Sequence, residues 1–243
     1  MGQHGKHRPL VRLALLAWLA WAGLAAAQCR LALVVGIDVS SSVDAEEDAL
    51  QRQGLARALR SEPVRRAALA LPEAPVALAV FEWSGRWQQA VIADWTLLTD
   101  ASALEGVAAQ VAGSRRVFSE FPTAAGYALG YAATLLGRAP DCLFRTVDLS
   151  GDGISNDGFG PALAYEYYDY AEVTVNGLPI TGHDAGVVTF YADQVVYGPG
   201  AFYEVAEDFE DFERAMRRKL EREMSVLQLG ETARPVDGPS RRQ

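Results

Sequence analysis

Residues 31–37 form an almost unbroken apolar run, the pattern of a strand buried on both faces of a parallel sheet. Residues 44–60 then carry Ala49, Leu50, Leu55, Ala58 and Leu59 mostly at helical spacing, and Asp44 with Glu47 three positions on forms a capping-box signature at the start. Pro75 opens a second strand, 76–83, and Ser84-Gly85-Arg86 links it to a third, 87–95. So short a link predicts a hairpin, and therefore one antiparallel strand. Helices are expected at about 101–111 and 123–136.

A fourth strand, 143–149, runs into Ser150-Gly151-Asp152-Gly153. After it the pattern predicts a helix at 161–170, a fifth strand at 173–180, a short helix at 187–196, a sixth strand at 201–205 and a long amphipathic helix at 208–227. Strands interleaved with helices predict an α/β, doubly wound, mostly parallel six-stranded sheet with one antiparallel strand and helices on both faces. Such sheets bind ligands beyond the carboxyl ends of their strands, where the winding direction reverses. Asp38 and Asp152 both fall at carboxyl ends of apolar strands.

The amino terminus bears on compartment. Lys6, Arg8 and Arg12 precede an apolar stretch at 13–24, and Ala25-Ala26-Ala27 supplies the small residues of a cleavage site. Residues 1–27 read as a signal peptide removed before Gln28, since the stretch is shorter than the roughly 20 residues a membrane span needs. Cys29 follows Gln28 rather than a small residue, which argues against a lipid anchor. The expected product is exported, periplasmic or secreted, without stable membrane insertion. The full chain has a net charge of −9, and losing three of its 22 Lys and Arg with the leader leaves it more acidic still. Such a surface repels nucleic acid and anionic lipid. Residues 28–228 suit one domain, and 229–243, rich in Gly, Pro and Arg without apolar periodicity, read as a disordered tail.

The candidate chemistry begins at Asp38-Val39-Ser40-Ser41-Ser42, a carboxylate and hydroxyls on a strand-to-helix turn. Hard cations such as Mg²⁺ take oxygen ligands and only one or two carboxylates from the protein, and Asp38, Ser40 and Ser42 supply three such oxygens. Taken alone, the same motif also fits a buried strand whose serines cap the next helix. Hydrolase signatures are absent: there is no Gly-x-Ser-x-Gly elbow, no HExxH and no phosphate-binding glycine loop. His183, the one histidine beyond the leader, sits in a polar loop and reads as a solvated side chain.

Together, Asp38-x-Ser40-x-Ser42, Thr123 in Phe121-Pro122-Thr123-Ala124-Ala125-Gly126, and Ser150-Gly151-Asp152-Gly153 resemble the three loops of the metal-ion-dependent adhesion site (MIDAS) of von Willebrand factor type A domains. The segments 38–44, 81–85, 150–158 and 197–202 are similar to those of a bacterial family of exported proteins, DUF1194, itself of von Willebrand A-like fold. The resemblance implies Asp38, Ser40 and Ser42 as first-loop ligands, Thr123 as the second-loop ligand and Asp152 as the third-loop Asp. It implies Mg²⁺, with Mn²⁺ or Ca²⁺ as alternatives, and a partner protein or peptide that presents an Asp or Glu carboxylate. One departure stands out: the usual third loop reads Thr-Asp-Gly, and here Gly151 precedes Asp152, with Ser150 the candidate substitute hydroxyl.

Nearby polar residues take plainer readings. Asn156 and Asp157 read as turn residues rather than a second metal loop, Asp44 as a helix cap, and Glu82 and Ser84 as a hairpin end that could border the ligand face. A metal-dependent binding module is the leading function. The alternatives are a metal-dependent hydrolase acting on a phosphate ester and a metal that only stabilises the fold. If Asp38 and Asp152 flank one metal, the first and fourth strands are parallel neighbours. Cys29 lies nine residues before Asp38 and Cys142 ten before Asp152, so both cysteines then meet at the opposite edge of the sheet. Parallel neighbours lie about 4.7–4.9 Å apart, within the range disulfides accept, and export supplies the oxidising compartment.

Overall fold

The computed structural model describes residues 29–225; the expected signal peptide and the tail at 229–243 lie outside them. The described chain runs β1 Cys29–Asp38, α1 Ala45–Arg60, α2 Glu62–Ala68, β2 Val76–Trp83, β3 Gln89–Leu98, α3 Ala101–Gly113, α4 Ala125–Leu136, β4 Cys142–Gly151, α5 Pro161–Tyr167, β5 Val173–Pro179, α6 Val187–Phe190, a π-helical turn Tyr191–Val195, and α7 Phe212–Met224. The strands form one sheet in the order β3-β2-β1-β4-β5. β1 pairs in parallel with both β2 and β4, β4 pairs in parallel with β5, and only β3 is antiparallel.

β1 is buried at every position, which is what its unbroken apolar sequence requires of a central strand. Leu31, Leu33, Val35 and Ile37 enter the core beneath α1, α2, α3 and α7, while Ala32 and Val34 enter the second core beneath α4, α5 and α6. The winding reverses between β1 and β4, so the carboxyl ends of these two strands flank the crevice where open α/β sheets bind ligands.

Several expectations are corrected. No sixth strand forms at 201–205 among the described residues; the segment touches β5 only through single bridges, Gly177 to Tyr203 and, just beyond it, Ile180 to Ala206. Gly198 and Gly200 take φ of +88° and +70°, which bends the chain away from a ladder. The Phe202 N–H also goes to Asn176 Oδ1 at 3.0 Å rather than to a strand partner. The third strand starts at Gln89 rather than at Trp87, which is 78% exposed on the hairpin turn. α2 was not anticipated, although Ser61-Glu62-Pro63 carries a start signal with Pro near the first helical position. Two helices are shorter than expected: α5 ends at Tyr167, and α7 begins at Phe212.

At the amino-terminal edge of the sheet, Cys29 and Cys142 are register partners on β1 and β4 and form a disulfide with Cα atoms 4.5 Å apart. Among the described residues no helix is long and apolar enough to cross a membrane. The disulfide favours an exported protein, because such bonds persist in oxidising compartments.

A second tie is ionic. Lys219 on α7 is fully buried, with its Nζ 2.9 Å from Asp148 Oδ1 on β4 and 2.7 Å from Glu223 Oε1. Asn176 Nδ2 donates to the same Glu223 oxygen at 2.6 Å. Two carboxyls share one ammonium, and burial raises the Asp148 pKa against the pull of Lys219. Removing the ammonium strands both acids in the core, so Lys219→Met should cost about 3–5 kcal/mol in urea unfolding. Adding Asp148→Asn and Glu223→Gln to that variant should recover part of the loss. The disulfide closes a span of 113 residues, for which chain entropy suggests about 4–5 kcal/mol. Cys29→Ser/Cys142→Ser should therefore unfold at markedly lower urea concentration, with full-length folded protein still detectable by circular dichroism in buffer.

Candidate metal centre

Three loops meet at the carboxyl ends of β1 and β4. The first turns sharply after Asp38, whose Oδ1 accepts the Ser40 N–H at 2.7 Å. Ser40 Oγ and Ser42 Oγ lie 3.2 Å apart, and Ser42 Oγ donates to Asp152 Oδ1 at 2.8 Å. Asp38, Ser40, Ser42 and Asp152 thus form one continuous polar chain across the first and third loops. Thr123 lines a depression of ≈ 360 Å³ with Ser42 and Asp152, while Asp38 and Ser40 are fully buried; Thr123 bonds to none of the other four. It precedes α4, which begins at Ala125, rather than opening the helix.

Asp38 and Asp152 are both buried, and each keeps one carboxylate oxygen, Oδ2, with no hydrogen-bond partner among the described residues. Buried acceptors without partners are costly. Burial first, and the facing Asp152 second, push the Asp38 carboxyl up to about 8. Burial also raises Asp152, against the Ser42 hydrogen bond that favours its charged form. A cation reverses both shifts, because a nearby positive charge favours the ionised carboxyls. Two carboxylates with three hydroxyls are the oxygen set that a hard divalent ion takes, and they lack the nitrogen and sulfur donors that softer metals prefer. Among the described residues no group of three or more His, Cys, Asp or Glu is arranged to hold a metal.

The loops are held by Gln51 and Arg116, which sequence reading did not single out, and by Ser150, which it read differently. Gln51 of α1 donates to the Asp38 carbonyl at 2.8 Å, and Ser150 Oγ reaches the Gly36 carbonyl and Gln51 Oε1. Ser150 therefore braces the strand ends and does not face the mouth as a replacement hydroxyl. Arg116 spreads its guanidinium over the carbonyls of Val39, Ser40, Val43 and Phe118. A signal for the α1 braces was available: Asp48, Gln51 and Arg52 interrupt the apolar face of the helix at core spacing and are buried.

Glu82, read as a hairpin end, is buried and accepts from Arg52 Nη2 at 2.6 Å and from the Val117 N–H at 2.8 Å, which ties the strand to the loop before Thr123. The Ser84 carbonyl accepts the Ala124 N–H at 2.8 Å. Asn156 Oδ1 accepts the Thr123 N–H at 3.0 Å, and the Thr123 carbonyl accepts the Asn156 and Asp157 N–H groups. Asp157 pairs with Arg86. These turn residues clamp the second loop to the third. Asp44 caps α1 with Glu47 in a complete capping box. His183 is less isolated than its loop suggested: its Nε2 sits 2.7 Å from Glu47 Oε1 at the rim, a contact that raises its pKa.

Gly151 explains the departure from Thr-Asp-Gly. A Cβ there would lie 2.7 Å from both Asp38 Oδ2 and Tyr191 Oη, and 3.3 Å from Trp83 Cζ2. The space that a threonine would occupy is already filled.

Comparison with solved structures places this architecture among von Willebrand factor A domains. The chain superposes on a von Willebrand factor type A protein from Catenulispora acidiphila with a TM-score of 0.58 at 16% identity, over 81% of this chain and 43% of that one. Proximal thread matrix protein 1 from the mussel byssus, solved with zinc in its MIDAS motif, gives 0.56 at 14% identity, covering 81% and 46%. The PilB minor pilin from Streptococcus sanguinis gives 0.62 at 14% identity, covering 87% and 64%. The chain spans less than half the length of the first two, and at these identities the likeness is one of fold. No curated protein sequence matches. Residues 28–228 match the family described as "Protein of unknown function (DUF1194)", and the chain belongs to it.

The crowding at position 151 gives a direct check. Gly151→Ala should displace the Asp38 carboxylate or Tyr191 and cost about 1–3 kcal/mol, as overpacking in a core does. Chemical denaturation reads the loss; an unchanged midpoint would show that the slot has room to spare.

Proposed function

We propose that this protein is an exported binding module whose divalent ion, held by Asp38, Ser40, Ser42, Thr123 and Asp152, accepts a carboxylate from a partner protein or peptide. The observation that carries this reading is the pair of buried, unpartnered carboxylate oxygens, Asp38 Oδ2 and Asp152 Oδ2, beside three hydroxyls at the sheet's switch point. Mg²⁺ suits these ligands best, with Mn²⁺ or Ca²⁺ as alternatives. Two carboxylates neutralise the ion formally, but the neutral hydroxyls leave it electrophilic enough to attract a further anion. The chain's own part is to hold the loops: Arg116 and Gln51 fix the first, Asn156 and Glu82 the second, and Ser42 ties the first to the third.

The reading assigns no catalytic residue. The one described imidazole, His183, is engaged by Glu47, and neither it nor the serines form a nucleophile–base pair. Residues 1–27 act as the export signal in this proposal, which places the mature domain in the periplasm or outside the cell.

Isothermal calorimetry should detect one Mg²⁺ site in the wild type and none in Asp38→Ala or Asp152→Ala. Thermal melts of both variants in chelator should stay near the wild-type value or above it, because each relieves a buried carboxylate. Affinity capture from the exporting cell should lose a partner in EDTA, regain it with Mg²⁺ or Mn²⁺, and weaken in Thr123→Ala. Full capture in excess chelator would leave the ion only a structural role, and metal-dependent phosphate-ester turnover by the purified protein would replace this reading with a hydrolase.

A further inference from the structure

We propose that the cleft between α7 and β5 is a second binding site, which takes a free apolar α-amino acid with its carboxylate on Arg222 and its ammonium toward Glu172 and Glu223. The site lies toward the amino-terminal ends of β4 and β5, at the far end of the strands from the metal centre, and does not depend on the metal reading. The segment 197–202, singled out in the sequence, builds one wall. Where a sixth strand would have run, Tyr197 bridges Val175 and Tyr203 bridges Gly177, and the chain arches between these two contacts. Gly198 lies so close to β5 that a Cβ there would sit 2.4 Å from the Val173 carbonyl oxygen, and Thr174 Oγ1 donates to the Pro199 carbonyl at 3.1 Å. The opposite wall is α7. The cleft volume of ≈ 410 Å³ falls within the range of about 300–1,000 Å³ that small-molecule sites occupy.

Leu31 and Phe144, register partners on β1 and β4, give the floor an apolar patch, and Pro199 and Phe202 continue it up the wall. Phe144 is 45% exposed, so part of this patch faces solvent. Charge surrounds it. The Arg222 guanidinium lies 3.7 Å from the Phe202 ring centroid, a stacking that holds its side chain at the cleft. Arg214 and Arg218 of the same helix are paired with Glu204, whereas the Arg222 side chain has no hydrogen-bond or ion-pair partner among the described residues. Glu172, on the β5 side, is exposed and equally without one. Glu223 is buried; its Oε1 receives Lys219 and Asn176, and its Oε2 has no partner. Opposite charges held apart beside an apolar floor are complementary to a molecule with both charges at one end and an apolar body at the other. A simple carboxylate would meet Arg222 but also face the two glutamates, and a simple amine would face Arg222. An α-amino acid answers both, and a stacked guanidinium still offers its N–H edge to a carboxylate.

The test is calorimetric titration of the purified protein with L-leucine, L-isoleucine, L-valine, L-methionine and L-phenylalanine. EDTA is present throughout, so that no ion at the metal centre takes the amino-acid carboxylate. At least one of these should bind saturably at one site per chain. Its N-acetyl and amide derivatives, which each carry only one of the two charges, should bind about tenfold more weakly or worse. Arg222→Gln and Glu172→Gln should each weaken binding about ten- to a hundredfold, the size of one hydrogen bond to a charged group, with melting temperatures within a few degrees of wild type. Arg218→Gln, whose partner Glu204 does not line the cleft, should leave the affinity unchanged. Equal binding of the derivatives would reduce the cleft to an apolar pocket and overturn the proposal. An equal loss in Arg218→Gln, or no saturable binding of any of the amino acids, would overturn it as well.

Discussion

The burial of Asp38 is the constraint on which the site depends. A carboxylate at the end of a strand covered on both faces has no solvent to answer its charge, and the facing Asp152 makes the charge harder to hold. Only one of its oxygens is paired within the loop. The surroundings supply hydroxyls and amide groups, while Arg116 is committed to loop carbonyls and His183 to Glu47 at the rim.

To hold an ion as proposed, such a crevice must keep its shape when empty. Its loops are therefore fixed by groups set back from the mouth: Arg116 gathers four carbonyls of the first and neighbouring turns, and Gln51 and Ser150 lock the ends of β1 and β4 together. Arg52, with Glu82 and Asp48, ties α1 to β2 beneath the second loop. Buried pairs like these add little net stability compared with apolar packing, yet breaking one partner is expensive. Their effect is to narrow the geometries available to the ligand oxygens.

The two ends of β1 and β4 divide the labour. One end opens into the crevice; the other is closed by the Cys29–Cys142 bond at the first register pair. The covalent link keeps the two strands adjacent, and adjacency is what brings Asp38 and Asp152 face to face. On the outer side of the sheet, Lys219 draws α7 onto β4 through Asp148, so the strand carrying Asp152 is held from both its start and its flank.

Much of this was legible in the chain. Unbroken apolar runs marked the parallel strands, the short Ser84-Gly85-Arg86 link marked the one antiparallel pair, and nearly equal walks from Asp38 and Asp152 back to the cysteines led to their pairing. The strand features depend on local pattern and chain length; the cysteine pairing also took Asp38 and Asp152 to face one site. The sixth strand failed because 201–205 has a strand-like composition while its ladder is interrupted by the positive φ of Gly198 and Gly200 and by Asn176 capturing the Phe202 amide, a partner 26 residues away. Likewise the motif named Asp38, Ser40, Ser42, Thr123 and Asp152, but sequence spacing is silent on what surrounds them. The filling of the position-151 gap by Tyr191, the clamp of Asn156 on Thr123 and the reach of Arg116 into the first loop join residues that are 33 to 77 positions apart or come from different strands. Tertiary packing alone decides such contacts, because they depend on where whole elements cross and not on the order of residues within any one of them.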